Sequence, residues 1–262
     1  MKTKKIRNLT SLLAIILFLA SCISPFNYRI NGNGNIVSQE RIIDESYYSI
    51  ELEDDYEVYI KEGANNVITI ETDENLHDFV QTKIKNGKLV LSTTRGYSLK
   101  GSQGIIIYIE TPSVENITLS GSGRIETDTI SEENVKITIS GSGEIYSIVN
   151  ASNIDLTISG SGKIDVKAVT LTADVDISGS GDIILSGNAN TTEMNISGSG
   201  SIRSYGLEQH NCDVNISGSG DVYVDVEQQL DVKISGSGNV NYIGTPTLST
   251  NISGSGQINN LN

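Results

Sequence analysis

The chain has 262 residues and a formal charge of −14 at pH 7. Residues 1–22 hold four of its 18 basic residues and none of its 32 acidic ones, so the remainder sets 14 basic against 32 acidic residues, or −18. That balance excludes nucleic acid and anionic head groups as direct partners, and two His with two Cys give no zinc-ligand spacing, so neither a metal nor another cofactor is expected.

The first segment reads as a signal peptide. Lys2, Lys4, Lys5 and Arg7 form a positive start, and Leu12 to Leu19 form an apolar run too short to span a bilayer. It ends Leu19-Ala20-Ser21-Cys22, which matches the bacterial lipobox recognised by lipoprotein signal peptidase. The match implies cleavage before Cys22 and lipidation of Cys22 with palmitate-type acyl chains, enough for stable anchoring. The other reading is an ordinary secretory signal with an incidental cysteine. No acidic residue occurs from Ile23 to Tyr28, so no retention or export signal is visible, and the expected address is the periplasmic face of the outer membrane. Residues 23–34, with Pro25 and Asn31-Gly32-Asn33-Gly34, read as a tether.

Residues 35–112 read as a β-rich N-terminal part. Tyr48 to Leu52 alternates, and Asp54-Asp55 allows a turn into Tyr56 to Ile60. Val67 to Ile70 comes after Asn65-Asn66, Lys88 to Leu91 after Asn86-Gly87, and Ile105 to Ile109 ends at Pro112. Asn75 to Val80 is the one short helical stretch. This part is placed to cap the N-terminal end of a repeat region that begins at residue 113.

From residue 113 to 262 one phrase, Ile-Ser-Gly-Ser-Gly-x-Ile, recurs. Its first serine falls at Ser120, Ser140, Ser159, Ser178, Ser197, Ser217, Ser235 and Ser253, with gaps of 20, 19, 19, 19, 20, 18 and 18 residues. A period of 18–20 is too short for a βαβ unit and suits one coil of an all-β parallel β-solenoid, or β-helix. Alternation turns Ile139, Gly141, Gly143 and Ile145 inward and Thr138, Ser140, Ser142 and Glu144 outward. Two inward glycines predict a corner with no room for side chains, then a strand and a return loop of about ten residues. Each outward position then becomes a ladder. One runs Thr118, Thr138, Thr157, Asp176, Asn195, Asn215, Lys233, Asn251, and another runs Arg124, Glu144, Lys163, Asp182, Ser201, Asp221, Asn239, Gln257, alternating in sign at its start.

Together Arg41, Tyr48-Ser49-Ile50, Val58-Tyr59-Ile60, Asn75-Leu76, Gly87-Lys88-Leu89, Ile107-Tyr108-Ile109, Pro112 and Leu119-Ser120-Gly121-Ser122-Gly123 resemble the head GIN domain family. The resemblance covers residues 35–256. It implies a β-helical fold, a place in the cell envelope of Bacteroidetes-type bacteria and an adhesin-like role, with no catalytic motif.

The expected function is therefore a non-enzymatic, lipid-anchored envelope module, structural or binding, whose partners are the membrane through Cys22 and a glycan or envelope protein. The serine rows are the candidate binding ladder: Ser140, Ser142, Ser159, Ser161, Ser178, Ser180, Ser197, Ser199, Ser217 and Ser219. The plain alternative is a solvated surface. With no Trp and three Phe, the eleven Tyr are the available stacking groups, and Tyr47, Tyr48, Tyr56 and Tyr59 cluster early; β-propensity accounts for them equally well as half-buried strand residues. The competing function is a β-helix polysaccharide lyase or hydrolase, for which Asp174, Asp176 and Asp182 near Lys163 and Lys167 are the best cluster. Cys212 reads as a small packed residue, although alternation would put His210 on its face. An open solenoid end allows a homo-oligomer.

Overall fold

The structure, a computed structural model, describes residues 28–262, so Cys22 and the expected signal peptide lie outside the described residues. In the N-terminal part, β1 (Tyr28–Asn31) and β2 (Ile36–Ile42) precede β3 (Ser49–Leu52), β4 (Glu57–Glu62) and β5 (Val67–Asp73). A 3-10 helix, Glu74–Phe79, comes next, where the short helical stretch is expected. Then come β6 (Val80–Lys85), β7 (Lys88–Thr93), β8 (Tyr97–Lys100) and β9 (Ile106–Thr111). The β6–β7 hairpin turns on Asn86-Gly87, with φ of 54° and 73°, the conformation for which Asn-Gly is suited.

Part of the expected tether is not a free spacer. Residues 28–31 are β1, paired in parallel with β8. Beyond it, the Asn33 amide donates to Asn75 Oδ1 at 2.9 Å and the Gly34 amide to Asp73 Oδ1 at 2.6 Å. Asp73 is fully buried and also accepts from the Ser102 amide and hydroxyl, both at 2.7 Å. These donors, the Ser102 amide first, hold its carboxyl below the usual carboxylate range. A Cβ at Gly32 would lie 2.1 Å from that carboxylate, which explains glycine there. Backbone amides in a turn need acceptors, and a buried aspartate supplies them for two loops at once.

The remaining strands are β10 (Asn116–Leu119), β11 (Arg124–Ile139), β12 (Glu144–Ile158), β13 (Lys163–Gly179), β14 (Asp182–Gly198), β15 (Ser201–Gly218), β16 (Asp221–Asp225), β17 (Gln229–Gly236), β18 (Asn239–Ile243), β19 (Thr247–Gly254) and β20 (Gln257–Asn260). Each pairs in parallel with its counterpart one coil away, giving a β-solenoid. Both outward ladders form in the expected register, from Thr118 opposite Thr138 to Lys233 opposite Asn251, and from Arg124 opposite Glu144 to Asn239 opposite Gln257.

The expected return loop is not a loop. The residues between glycine corners in the middle coils are continuous strand, because alternation never stops. In β12, Ile145, Ser147, Val149 and Ala151 face inward, and then Ile154, Leu156 and Ile158 do. A coil of 19 residues is odd, so a period-2 pattern can return inward only if its parity switches once. The switch falls at one residue per coil left out of the ladder, Ser152, Leu171, Asn190 and His210 in successive coils. Coils one residue longer add a bulge, seen as register shifts at Glu126/Thr129 and at Ile184/Ser186.

The glycine corner has a tighter cause than a shortage of interior room. A Cβ on the first glycine of a copy would sit 2.3 Å from the carbonyl oxygen of Gly141 at Gly160 and 2.4 Å from that of Gly160 at Gly179. This glycine is only partly buried, and its missing side chain leaves space along the rod, toward the neighbouring coil. The second glycine is buried and makes room for an isoleucine of the preceding coil. A Cβ at Gly181 would be 2.6 Å from Ile158 Cγ2, and one at Gly200 would be 2.6 Å from Ile177 Cγ2. Each isoleucine before the phrase thus fills the space that the next coil's glycine vacates. Such a fully buried isoleucine contributes roughly 1.5–3 kcal/mol.

The rod extends below the repeats, out of chain order. β3 pairs under β10 and β7 under β3, while β4 pairs under β11 and β9 under β4. The Asp54-Asp55 turn occupies the corner position, with the Asp54 carbonyl 2.3 Å from where a Cβ of Gly121 would be. Beyond β9 the strands reverse, β5 pairing antiparallel with β9 and β2 antiparallel with β5, and β6 reverses beyond β7. One core runs through all of it, from Ile50 and Ile107 to Val240.

Candidate functional site

The cavity that combines aromatic and charged groups lies on the flank where the N-terminal part meets the first repeats. It has a volume of about 730 Å³. Its floor is one outward ladder, running Thr69, Tyr108, Tyr59, Glu126, Tyr146, Asp165 across six neighbouring strands. Each tyrosine stands between inward aliphatics (Val58 and Ile60, Ile107 and Ile109) or comes directly after one (Ile145), so the strand's alternation turns the ring outward. The bulge of the 20-residue first coil falls in this groove and brings Thr127 and Asp128 to its lining. Bulges commonly re-aim side chains beside functional sites.

The rings are organised. Tyr59 and Tyr108 stack with centroids 5.4 Å apart and planes at 17°. The hydroxyl of Tyr59 donates to Glu57 at 2.6 Å, and this bond, ahead of burial, pushes its pKa up to about 12, so it stays protonated. Tyr146 carries Arg124 over its ring at 4.2 Å and Lys163 at 4.9 Å. Lys61 pairs with Glu110 at 2.8 Å, and Lys163 with Asp165 at 3.2 Å. Glu126, Asp128 and Asp165 therefore line a groove whose aromatic edges lie beside carboxylate acceptors. Thr69, the small neighbour of Tyr108, leaves that ring 42% exposed.

The expected serine ladder takes a different place. All ten serines are exposed. Ser178, Ser197 and Ser217 are in register and, with Ser235 and Ser253, line a second groove of about 520 Å³ beside Asp176, Asn195, Asn215 and Lys233. Ser140, Ser142, Ser159, Ser161, Ser180, Ser199 and Ser219 lie along the corner outside that lining. The structure does not bring the serines and the tyrosines into one cavity.

The acids considered for lyase chemistry stand in separate rows. Asp182 is opposite Lys163 on one side of the glycine corner, whereas Asp174 is in register with Asp155 and Glu193 on the other. Asp176 stands in a third row, between Thr157 and Asn195. His210 and Cys212 face opposite ways, which corrects the shared-face expectation, because the parity switch falls between Gln209 and Cys212. Cys212 is buried, and burial pushes its thiol up to about 12, so it is inert toward thiolate chemistry. Among the described residues no group of three or more His, Cys, Asp or Glu is arranged to hold a metal ion.

The sequence places Tyr59 among clustered tyrosines but does not join Tyr108 and Tyr146 to it. The aliphatic-Tyr-Ile pattern is present in Val58-Tyr59-Ile60 and Ile107-Tyr108-Ile109. The signal it lacks is the stacking of β9 under β4, which no repeat announces.

Comparison with known proteins gives one family and several solved structures of the same fold. Residues 46–183 and 146–246 match the family model described as "Putative auto-transporter adhesin, head GIN domain". A "Putative lipid binding protein" from Parabacteroides distasonis is similar in structure, with a TM-score of 0.82 and 26% identity, over 89% of this chain and all of that one. A "putative adhesin" from Parabacteroides merdae has a TM-score of 0.84 at 23% identity, over 90% and 100% of the two chains. Another from Parabacteroides distasonis has 0.81 at 22%, over 89% and 100%. No curated protein matches the chain. The stacked coils, their glycine corners and the span of the family match together make this chain a member of the head GIN domain family.

Proposed function

We propose that this chain is a non-enzymatic, adhesin-like module of the cell envelope, anchored by lipid at Cys22, that holds a neutral or amino-bearing glycan in the groove of Tyr59, Tyr108 and Tyr146. The observation that carries the reading is the outward aromatic row interleaved with Glu126 and Asp165. Sugar rings present C–H faces that pack on aromatic groups and hydroxyls that donate to carboxylates. The lining sets Glu110, Glu126, Asp128 and Asp165 against Lys61 and Lys167, and Lys61 pairs with Glu110, Arg124 with Glu126 and Lys163 with Asp165, so the groove offers acceptors and donors close to charge balance. Paired charges beside stacked rings favour a hydroxyl-rich sugar here over the ligand class in the name of the lipid-binding neighbour. The described names of the family and of the similar structures, adhesins, support a binding role rather than a catalytic one.

The test is calorimetric titration of neutral and amino-sugar oligosaccharides, with an acidic polysaccharide as the contrast. Tyr108→Ala should weaken binding about tenfold, the size of one lost aromatic contact. A triple change in the second groove, Ser178→Ala, Ser197→Ala and Ser217→Ala, should leave it unaltered. Loss in the serine variant with retention in Tyr108→Ala would move the site to the serine rows. Protease shaving of intact cells then locates the rod, since cleavage without lysis places it on the surface and protection places it in the periplasm.

A further inference from the structure

We infer that two copies of this chain join end to end through their C-terminal coils, β19 of one lying antiparallel against β19 of the other. The two ends of the rod differ. At the N-terminal end the strands reverse through β5, β2 and β6. At the other end, β19 pairs with β17 and β20 with β18, and their outer edges face solvent. Ile234 and Ile216, which precede the serine-glycine phrase one and two coils back, are each 2% exposed, whereas Ile252 at the same position is 42% exposed. Leu248 stands over the buried Leu230 in the same way and is 41% exposed. The last coil therefore presents the apolar cross-section of the core together with an unpaired strand edge.

The partner is specified by charge. No Asp, Glu, Lys, Arg or His occurs from Ile234 to Asn262, in a chain whose formal charge is −14. Exposed edge strands are normally protected by charges, lysine above all, that stop edge-to-edge pairing. This one has none, so no side-chain charge opposes the approach of two such ends. The amide rows are open as well. Asn259 Nδ2 donates to Asn241 Oδ1 at 3.0 Å, and Asn251 and Asn259 stand on the outer strands of their rows. A two-fold pairing of like ends closes the assembly at a dimer, since the outer strand of the opposite end, β2, is antiparallel to its neighbour and carries the charged Glu40 and Arg41.

β1 docks beside β8 at the N-terminal end, so the dimer's two N-termini point apart. On the lipid-anchor reading proposed above, which this consequence alone needs, the two anchors lie at opposite ends of a double rod and join two facing membranes. The dimer would then be a homophilic contact.

The experiment is sedimentation equilibrium of the mature chain, residues 22–262 with Cys22→Ser, which lacks both the acyl chains and the apolar run Leu12 to Leu19, with small-angle scattering on the same sample. The expected result is a doubling of mass with concentration and a near doubling of the longest dimension. A monomer at every concentration up to the millimolar range, or a dimer no longer than the monomer, overturns the inference, and neither measurement needs a further variant. Ser249→Lys, Asn251→Lys and Gln257→Lys combined, all at exposed positions, should abolish the dimer while leaving the circular dichroism spectrum unchanged. A dimer that persists in that variant also overturns it. Vesicle clustering by the lipidated chain separates the two readings, because a soluble dimer without clustering defeats the anchor and keeps the end contact.

Discussion

The glycine corner and the tyrosine groove share coils and obey opposite rules. At the corner, backbone meets backbone, with carbonyl oxygens of one coil 2.1–2.4 Å from where a Cβ of the next coil's first glycine would be, from Gly141 to Gly254. Nothing but glycine fits, and the phrase is repeated almost without change. In the groove, rows of outward side chains meet solvent, and from Tyr59 onward the residue type changes from rung to rung, through Glu126 and Tyr146 to Asp165. Stability is thus written in the constant half of the coil, and the recognition proposed above falls in the variable half.

The sharpest way to break this comparison is to substitute around a single corner. Ile177→Ala should cost about 4 kcal/mol, since it empties a fully packed site beneath Gly200. Gly179→Ala should cost about 3 kcal/mol, because a methyl group 2.4 Å from the Gly160 carbonyl must push two coils apart at a residue whose φ of 141° disfavours a side chain. Ser178→Ala, one residue away and exposed, should change stability by less than about 0.5 kcal/mol. Urea unfolding of the three variants checks the order. Equal effects of Gly179→Ala and Ser178→Ala would mean that the coils can separate locally and that the corner is not what sets their spacing.

In the groove, Tyr108→Leu keeps bulk but loses the stack on Tyr59, at a cost of about 1 kcal/mol. It should weaken sugar binding more than it weakens the fold. If melting drops as far as for Gly179→Ala, the stack is part of the scaffold and the division of labour between the two halves fails.

Much of the fold is legible in the repeat because the interactions that build it lie one coil apart, 18–20 residues, and recur. The ladders from Thr118 to Asn251 and from Arg124 to Gln257 emerge from spacing alone. The continuous strand between corners is hidden because its parity switch, at Ser152 or Leu171, leaves two half-length alternations that look irregular on paper. Docking of residues 28–34 depends on β8 for residues 28–31 and on Asp73, itself held by Ser102, for Gly34, partners distant in sequence that no pattern links. The tyrosine groove needs β9 beneath β4 although it comes later in the chain, so spacing carries no trace of that contact. The C-terminal end is legible as open, but not as uncharged at the point where charge would matter.

The smallest expected effect compares two charged ladders on the same coils. From Glu57 through Arg124, Glu144 and Lys163 to Asp182 the signs alternate. From Asp155 through Asp174, Glu193 and Asp213 to Asp231 they do not, and five carboxylates stack in register. Burial first, and then neighbours that include Glu193 in both cases, raise the carboxyl groups of Asp174 and Asp213. A raised carboxyl favours the folded state when protonated, so this contribution is complete below the unfolded pKa, about 4, and fades as pH rises through the raised values. Asp73, held by Ser102, and Asp231, held first by Gln229, are lowered and act oppositely, their contribution fading as pH falls below about 4. Melting temperature should therefore rise slightly from neutral pH to a maximum near pH 4 to 5 and then fall. Asp174→Asn with Asp213→Asn should lift the neutral-pH value and flatten the rise, and added salt should do part of the same by screening an exposed row. A wild-type melting temperature that only falls on acidification would mean that the like-charged row carries no strain, and that the two ladders, different in sequence, are equivalent in energy.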